Sequence, residues 1–108
     1  MRLSAYQYGA GRTLPRDEAG DINVRHTLGI MGLGLAGESG EVIEHLKKHL
    51  GHGRALNLDL VSKELGDVLW YLAAIATLTG IDLDVVAREN LEKLQARYPN
   101  GFQPESMP

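Results

Sequence analysis

Residues Gly32–Lys48, GLGLAGESGEVIEHLKK, open as a glycine-rich run and close as an amphipathic helix. Glycine in a helix interior costs about 1 kcal/mol relative to alanine. Gly32, Gly34, Gly37 and Gly40 therefore mean either a loop or a backbone that something approaches closely. The surrounding apolar residues bear on the choice. Leu28, Met31, Leu35, Val42, Leu46 and Leu50 recur with a helical period, which predicts one helix from about Val24 to Leu50. The triplet Gly51-His52-Gly53 ends it.

Outward from this segment the same period returns twice. Val61, Leu65, Val68, Leu72 and Ile75 predict a second helix, capped by Asn57 or Asp59 and running to Gly80. Asp82 caps a third, which stops near Arg97-Tyr98-Pro99-Asn100-Gly101, where Pro99 and Gly101 forbid continuation. Residues Met1 to Gly11 form a short helix before a loop punctuated by Pro15 and Gly20. No alternating run is long enough for a sheet. The expected architecture is all-α: three main helices plus a short N-terminal one, in a single domain spanning 1–108. Its core lies at about 24–102, with a flexible tail at 103–108.

Composition narrows the function classes. The 108 residues carry a formal net charge of −3, which argues against a nucleic-acid coat or a polybasic membrane tail. No cysteine is present, so disulfides, thiolate metal sites and a thiol nucleophile are excluded. The start lacks the apolar segment of a signal peptide. The longest apolar run, Val68 to Leu78, falls short of the roughly 20 residues of a membrane span. A cytoplasmic protein without a membrane partner is the expectation.

An α-helix turns about 100° per residue. With Glu38 at zero, Glu41 falls near ~300°, His45 near ~340° and Lys48 near ~280°, beside an apolar arc of roughly 20° to 120°. With Glu64 at zero, Asp67 falls near ~300° and Tyr71 near ~340°. With Asn90 at zero, Lys93 falls near ~300° and Arg97 near ~340°. Three helices thus carry a polar strip in the same place relative to their apolar faces, two acidic and one amide plus cations. E-x-x-E on a helix is common, and charges at a core boundary usually stay solvated. Two acidic pairs in register with a basic strip raise the alternative, convergence on one cleft. Four carboxylates brought together repel unless a cation neutralises them, and oxygen-only ligands suit Mg²⁺ or Mn²⁺. Lys48 faces the acidic strip. Gly34, near ~320°, lies on that strip one turn before Glu38, where a missing side chain leaves room for a ligand or a neighbouring helix. The competing reading is a frayed N-terminal turn. His45, His49 and His52 make a poor zinc site, because HLKKH lacks the glutamate of H-E-x-x-H. His49 and His52 fit a helix C-terminus better. Trp70 and Tyr71 read as packing residues.

The stretches GLAGESGEVIEHLKK, KELGDVLWYLAAIA and NLEKLQARYPNGF together resemble the MazG-like family of all-α nucleoside triphosphate pyrophosphohydrolases. The resemblance covers about Leu28 to Phe102. It implies that Glu38, Glu41, Glu64 and Asp67 bind Mg²⁺, with Mn²⁺ as the other candidate. Asn90, Lys93 and Arg97 would face the substrate phosphates or sugar, with Lys48 beside them. Larger members often carry an extra acid where this chain has Gly37, which leaves the metal count open. The implied reaction is attack of water on the α-phosphorus, giving a nucleoside monophosphate and pyrophosphate, with Glu38 or Glu41 taking the proton. Hydrolysis of another pyrophosphate metabolite such as phosphoribosyl-ATP is the alternative within the fold. A non-catalytic helical interaction module is the alternative outside it. A homodimer or homotetramer is expected, since family members share a helical bundle between subunits and the amphipathic helices expose too much apolar surface alone.

Overall fold

The structure, a computed structural model, describes residues 1–102 and Pro104. The flexible tail expected at 103–108 otherwise lies outside the described residues. Four helices and no strand occur among those described: α1 (Leu3–Gly11), α2 (Val24–His52), α3 (Leu58–Thr79) and α4 (Leu83–Arg97).

Each long helix starts on a side chain that replaces a missing backbone acceptor. Asn23 accepts from the N–H of His26 at 3.1 Å, and Asn57 from that of Leu60 at 3.2 Å. Asp82 accepts from the N–H of Asp84 at 2.8 Å. Asn57, not Asp59, is thus the cap of α3, while Asp59 sits in its first turn, where a negative charge suits the helix dipole. Gly53 and Gly80 close α2 and α3 in the left-handed region, at φ 64° and 73°, where a side chain would be strained. Gly32 and Gly34 lie well inside α2, which excludes the frayed turn.

Helices α2 and α3 pack antiparallel across the short Gly53–Asn57 connection and form the main contact of the molecule. Leu14, Met31 and Ala74 are buried between them and the α1–α2 loop, with Trp70, Tyr71, Ile75 and Leu78 packed around. Trp70 donates through Nε1 to Thr13 Oγ1 at 2.8 Å and ties that loop to α3. Its ring meets Tyr71 edge-on at 5.1 Å, so both aromatics pack, as their mid-helix position suggested. A second cluster, Ala73, Ala76 and Leu83, receives Tyr6 and Ala10 from α1.

The corner between α3 and α4 is held by Gln7 of α1. Its amide nitrogen donates to the Ile81 carbonyl at 2.7 Å and to Thr77 Oγ1 at 3.3 Å. Its amide oxygen accepts from the Leu83 N–H at 2.9 Å. Asp84 in turn accepts from the Ser4 N–H at 3.2 Å, supplying from α4 the N-terminal cap that Arg2 does not give α1. Helix α4 leaves α3 at 107° and packs chiefly on α1.

This arrangement leaves the expected buried stripe partly uncovered. Leu46, Leu50, Leu65 and Leu72 were expected inside, and all four are exposed, Leu50 at 82%. The physical reason is that α4 turns onto α1, so among the described residues no further helix packs over that side of α2 and α3. The radius of gyration is 17.0 Å, against about 13 Å for a compact chain of this length. Among the described residues no single helix is long and apolar enough to cross a membrane.

Candidate metal centre

Helices α2 and α3 meet along their polar strips. Gly34 makes this possible: a Cβ built on it would overlap the Tyr71 ring and stand 2.8 Å from the Tyr71 hydroxyl oxygen. The glycine leaves room for a neighbouring helix, the second of the two occupants considered. Gly29, Gly32, Gly37 and Gly40 by contrast face open space. One turn beyond Gly34 on α2 comes Glu38, and one turn before Tyr71 on α3 comes Asp67. The close approach of the backbones therefore brings the carboxylates together.

Glu38, Glu64 and Asp67 each offer one oxygen to a group in which these atoms lie within 4.8 Å of one another. Glu38 and Glu64 are half-buried and Asp67 is exposed, so the group opens to solvent on one side. Glu38 Oε2 is sealed from solvent with no hydrogen-bond partner. A buried, unpartnered carboxylate oxygen is costly unless a proton or a cation satisfies it. The Glu38 carboxyl is accordingly held above its ordinary range. The Glu64 side chain contributes most, as the group with which a protonated Glu38 shares its proton, then burial, then the charges of Glu64, Asp67 and Glu41. Glu41 is exposed and stands outside the three-membered group, yet close enough for its charge to act on Glu38.

The donor set fits a divalent cation. Three carboxylate oxygens converge, and Mg²⁺ binds oxygen at about 2.0–2.1 Å. Drawing in of these side chains on binding closes the group around such an ion. The orphaned Glu38 oxygen is the group such an ion satisfies.

Two of the three strips converge within the chain, and the third does not. Asn90, Lys93 and Arg97 lie on α4, all exposed, and the two cations have no ion-pair partner among the described residues. Lys48 pairs along α2 with Glu44 at 4.0 Å. Its side chain is 47% exposed. His49 uses Nδ1 toward the Arg54 carbonyl at 2.6 Å, closing the turn after α2. His45 takes a different part. Its Nε2 lies 3.9 Å from Glu64 Oε1. Sequence reasoning weighed His45 only for zinc, although its place at about 340° on the acidic strip was the available signal. Tyr6 of α1 also comes near, its phenol pushed up by burial and by the charge of Asp67.

Among known proteins, the MazG nucleotide pyrophosphohydrolase domain matches residues 27–102. The "Gene 37 protein" of Mycobacterium phage L5 is 36% identical over 105 residues, covering 94% of this chain and 92% of that protein. Its name states no activity. No solved structure matches significantly. MazG enzymes typically use divalent metals, and the acidic group between α2 and α3 suits one. The matched segment contains both acidic pairs and every helix that builds the group, so the chain belongs to the MazG nucleotide pyrophosphohydrolase domain family.

Proposed function

We propose that this chain hydrolyses nucleoside triphosphates to a nucleoside monophosphate and pyrophosphate, using Mg²⁺ or Mn²⁺. The supporting observation is the convergence of Glu38, Glu64 and Asp67 around an orphaned buried oxygen. These three hold the cation, which when bound supplies charge to the phosphate oxygens and acidifies water. Glu41, exposed beside Glu38 and outside the group, is free to accept the proton as water adds to the α-phosphorus. The new bond is water oxygen to α-phosphorus, and the bond from that phosphorus to the bridging oxygen breaks. Pyrophosphate leaves with the electron pair. Lys93 and Arg97 neutralise that leaving group, while Asn90 and Lys48 contact the substrate.

The cationic strip lies on a helix that packs chiefly on α1, away from the acids of its own chain. Together with the exposed Leu33, Leu46, Leu50 and Leu65, this supports a homodimer or homotetramer in which α4 of one subunit serves the acids of another.

The test is a panel of canonical and modified nucleoside triphosphates, plus phosphoribosyl-ATP, assayed for pyrophosphate with Mg²⁺ and with chelator. Release from a triphosphate that needs Mg²⁺ is expected. Release from phosphoribosyl-ATP alone would move the substrate class. No release from any compound would leave the interaction-module reading.

A further inference from the structure

His45 sits in the seam between α2 and α3, with Glu64 facing it. Its side chain is 22% exposed and that of Glu64 23%. Among the described residues it makes no hydrogen bond, and the Glu64 carboxylate is its ion-pair partner. His49, one turn on, uses Nδ1 toward the Arg54 carbonyl. His45 instead has Nε2 3.9 Å from an oxygen of one of the three clustered acids.

Two roles are open to such a nitrogen. It could join the carboxylates as a ligand, or it could hold one of them. The geometry points to the second: oxygens of Glu38, Glu64 and Asp67 lie within 4.8 Å of one another, and no nitrogen of His45 belongs to that set. His45 reaches Glu64 alone. The 3.9 Å gap exceeds a direct hydrogen bond of about 3.0 Å, and a shift of about 1 Å, within ordinary side-chain motion, closes it. Glutamate has three rotatable bonds, and its carboxylate carries two oxygens. An imidazole N–H on one oxygen leaves the other to a cation and fixes the plane of the group. Partners of this kind typically change metal affinity tenfold to a hundredfold.

Resting on the metal reading above, we propose that His45 is a positioning residue for Glu64, donating through Nε2 to one carboxylate oxygen so that the other is presented to the cation. His45 then tunes affinity for the ion without touching it.

The experiment titrates Mn²⁺ into the full chain, with no nucleotide, and follows the free-ion electron paramagnetic resonance signal. Wild type, His45→Ala, His45→Gln and Glu64→Gln are compared, each with its metal-free Tm. Glutamine places an amide nitrogen close to where Nε2 was. His45→Ala is expected to weaken Mn²⁺ binding about tenfold or more. His45→Gln recovers most of that loss, and both keep a metal-free Tm near wild type. Unchanged affinity in His45→Ala would overturn the proposal. So would a His45→Gln variant no better than alanine, which would make the effect one of packing. A directly coupled nitrogen on the bound Mn²⁺ would make His45 a ligand and overturn it as well. Failure of the wild type to bind Mn²⁺ would sink the metal reading itself, and this inference with it.

Discussion

The α2–α3 pair and α4 carry the same sequence pattern and meet opposite fates. All three helices set polar residues at the edge of an apolar face. Helices α2 and α3 run antiparallel over a five-residue connection, and Gly34 lets Tyr71 settle against the α2 backbone, so their strips face each other. Helix α4 leaves at 107°, held by Gln7 to the helix before its corner, and its strip stays exposed. Periodicity tells which face of a helix is apolar. The connection tells what that face meets.

The sharpest way to break this comparison is on the acidic side. Glu64→Gln keeps shape and removes a charge from the group that converges. Turnover should fall by on the order of a thousandfold, because the cation that Glu64 helps to hold is what meets the developing phosphate charge, with little change in folding. Wild-type turnover in this variant would separate the acids from the chemistry.

Next comes the contact that lets the two helices meet. Gly34→Ala forces the Tyr71 ring out of its place against Trp70. Overpacking of this kind costs about 1–3 kcal/mol, seen as a lower Tm in thermal unfolding. Gly29→Ala, where a Cβ meets nothing within 4 Å, should instead gain stability by up to about 1 kcal/mol from helix propensity. Equal shifts in the two variants would mean that Gly34 is no special point of approach.

The α4 side is tested by Arg97→Ala. If its guanidinium holds phosphate, kcat/KM drops at least tenfold, or about 1.4 kcal/mol, while Mn²⁺ affinity stays the same. Unaltered kinetics would leave α4 as scaffold only. Light scattering belongs beside this assay, since an active monomer would rule out supply from a second subunit.

The smallest effect is expected at the α1–α4 link. The Ser4 side chain, aided by the backbone N–H groups of Ser4 and Leu3 and by the Arg2 charge, holds the Asp84 carboxyl below its usual range. Its folded value lies below its unfolded one, so the stabilisation is complete above about pH 4 and is lost as pH falls through the folded value. Asp84→Asn should lower Tm slightly at neutral pH. The difference from wild type should shrink in acid, and a difference independent of pH would point to packing instead.

The fold was legible because its punctuation is local. Asn57, Asp82, Gly53 and Gly80 each act within a few residues of their own position, and a reader of the chain meets them in order. The acidic pairs were legible for the same reason, since i and i+3 share a face wherever the helix goes. What joins distant segments was not. Nothing near Gln7 announces Ile81 and Leu83, and nothing near Asp84 announces Ser4. The direction of α4, and with it the exposure of Leu50 and Leu65, depends on those bonds. Gly34 stood out by its cost, but the identity of its neighbour, Tyr71, required the packing of two helices.

The grip of Gln7 bears on where this protein can be cut. The segment recognisable as the family domain begins at residue 27, and a fragment trimmed to that boundary would look complete on paper. It would lack the amide that joins Thr77, Ile81 and Leu83, the backbone that Asp84 caps, and the Thr13 hydroxyl that receives Trp70. The buried side of α3 would be opened and α4 set loose at its hinge. The packed unit therefore reaches beyond the unit that is matched, and its first helix is a clasp on the α3–α4 corner.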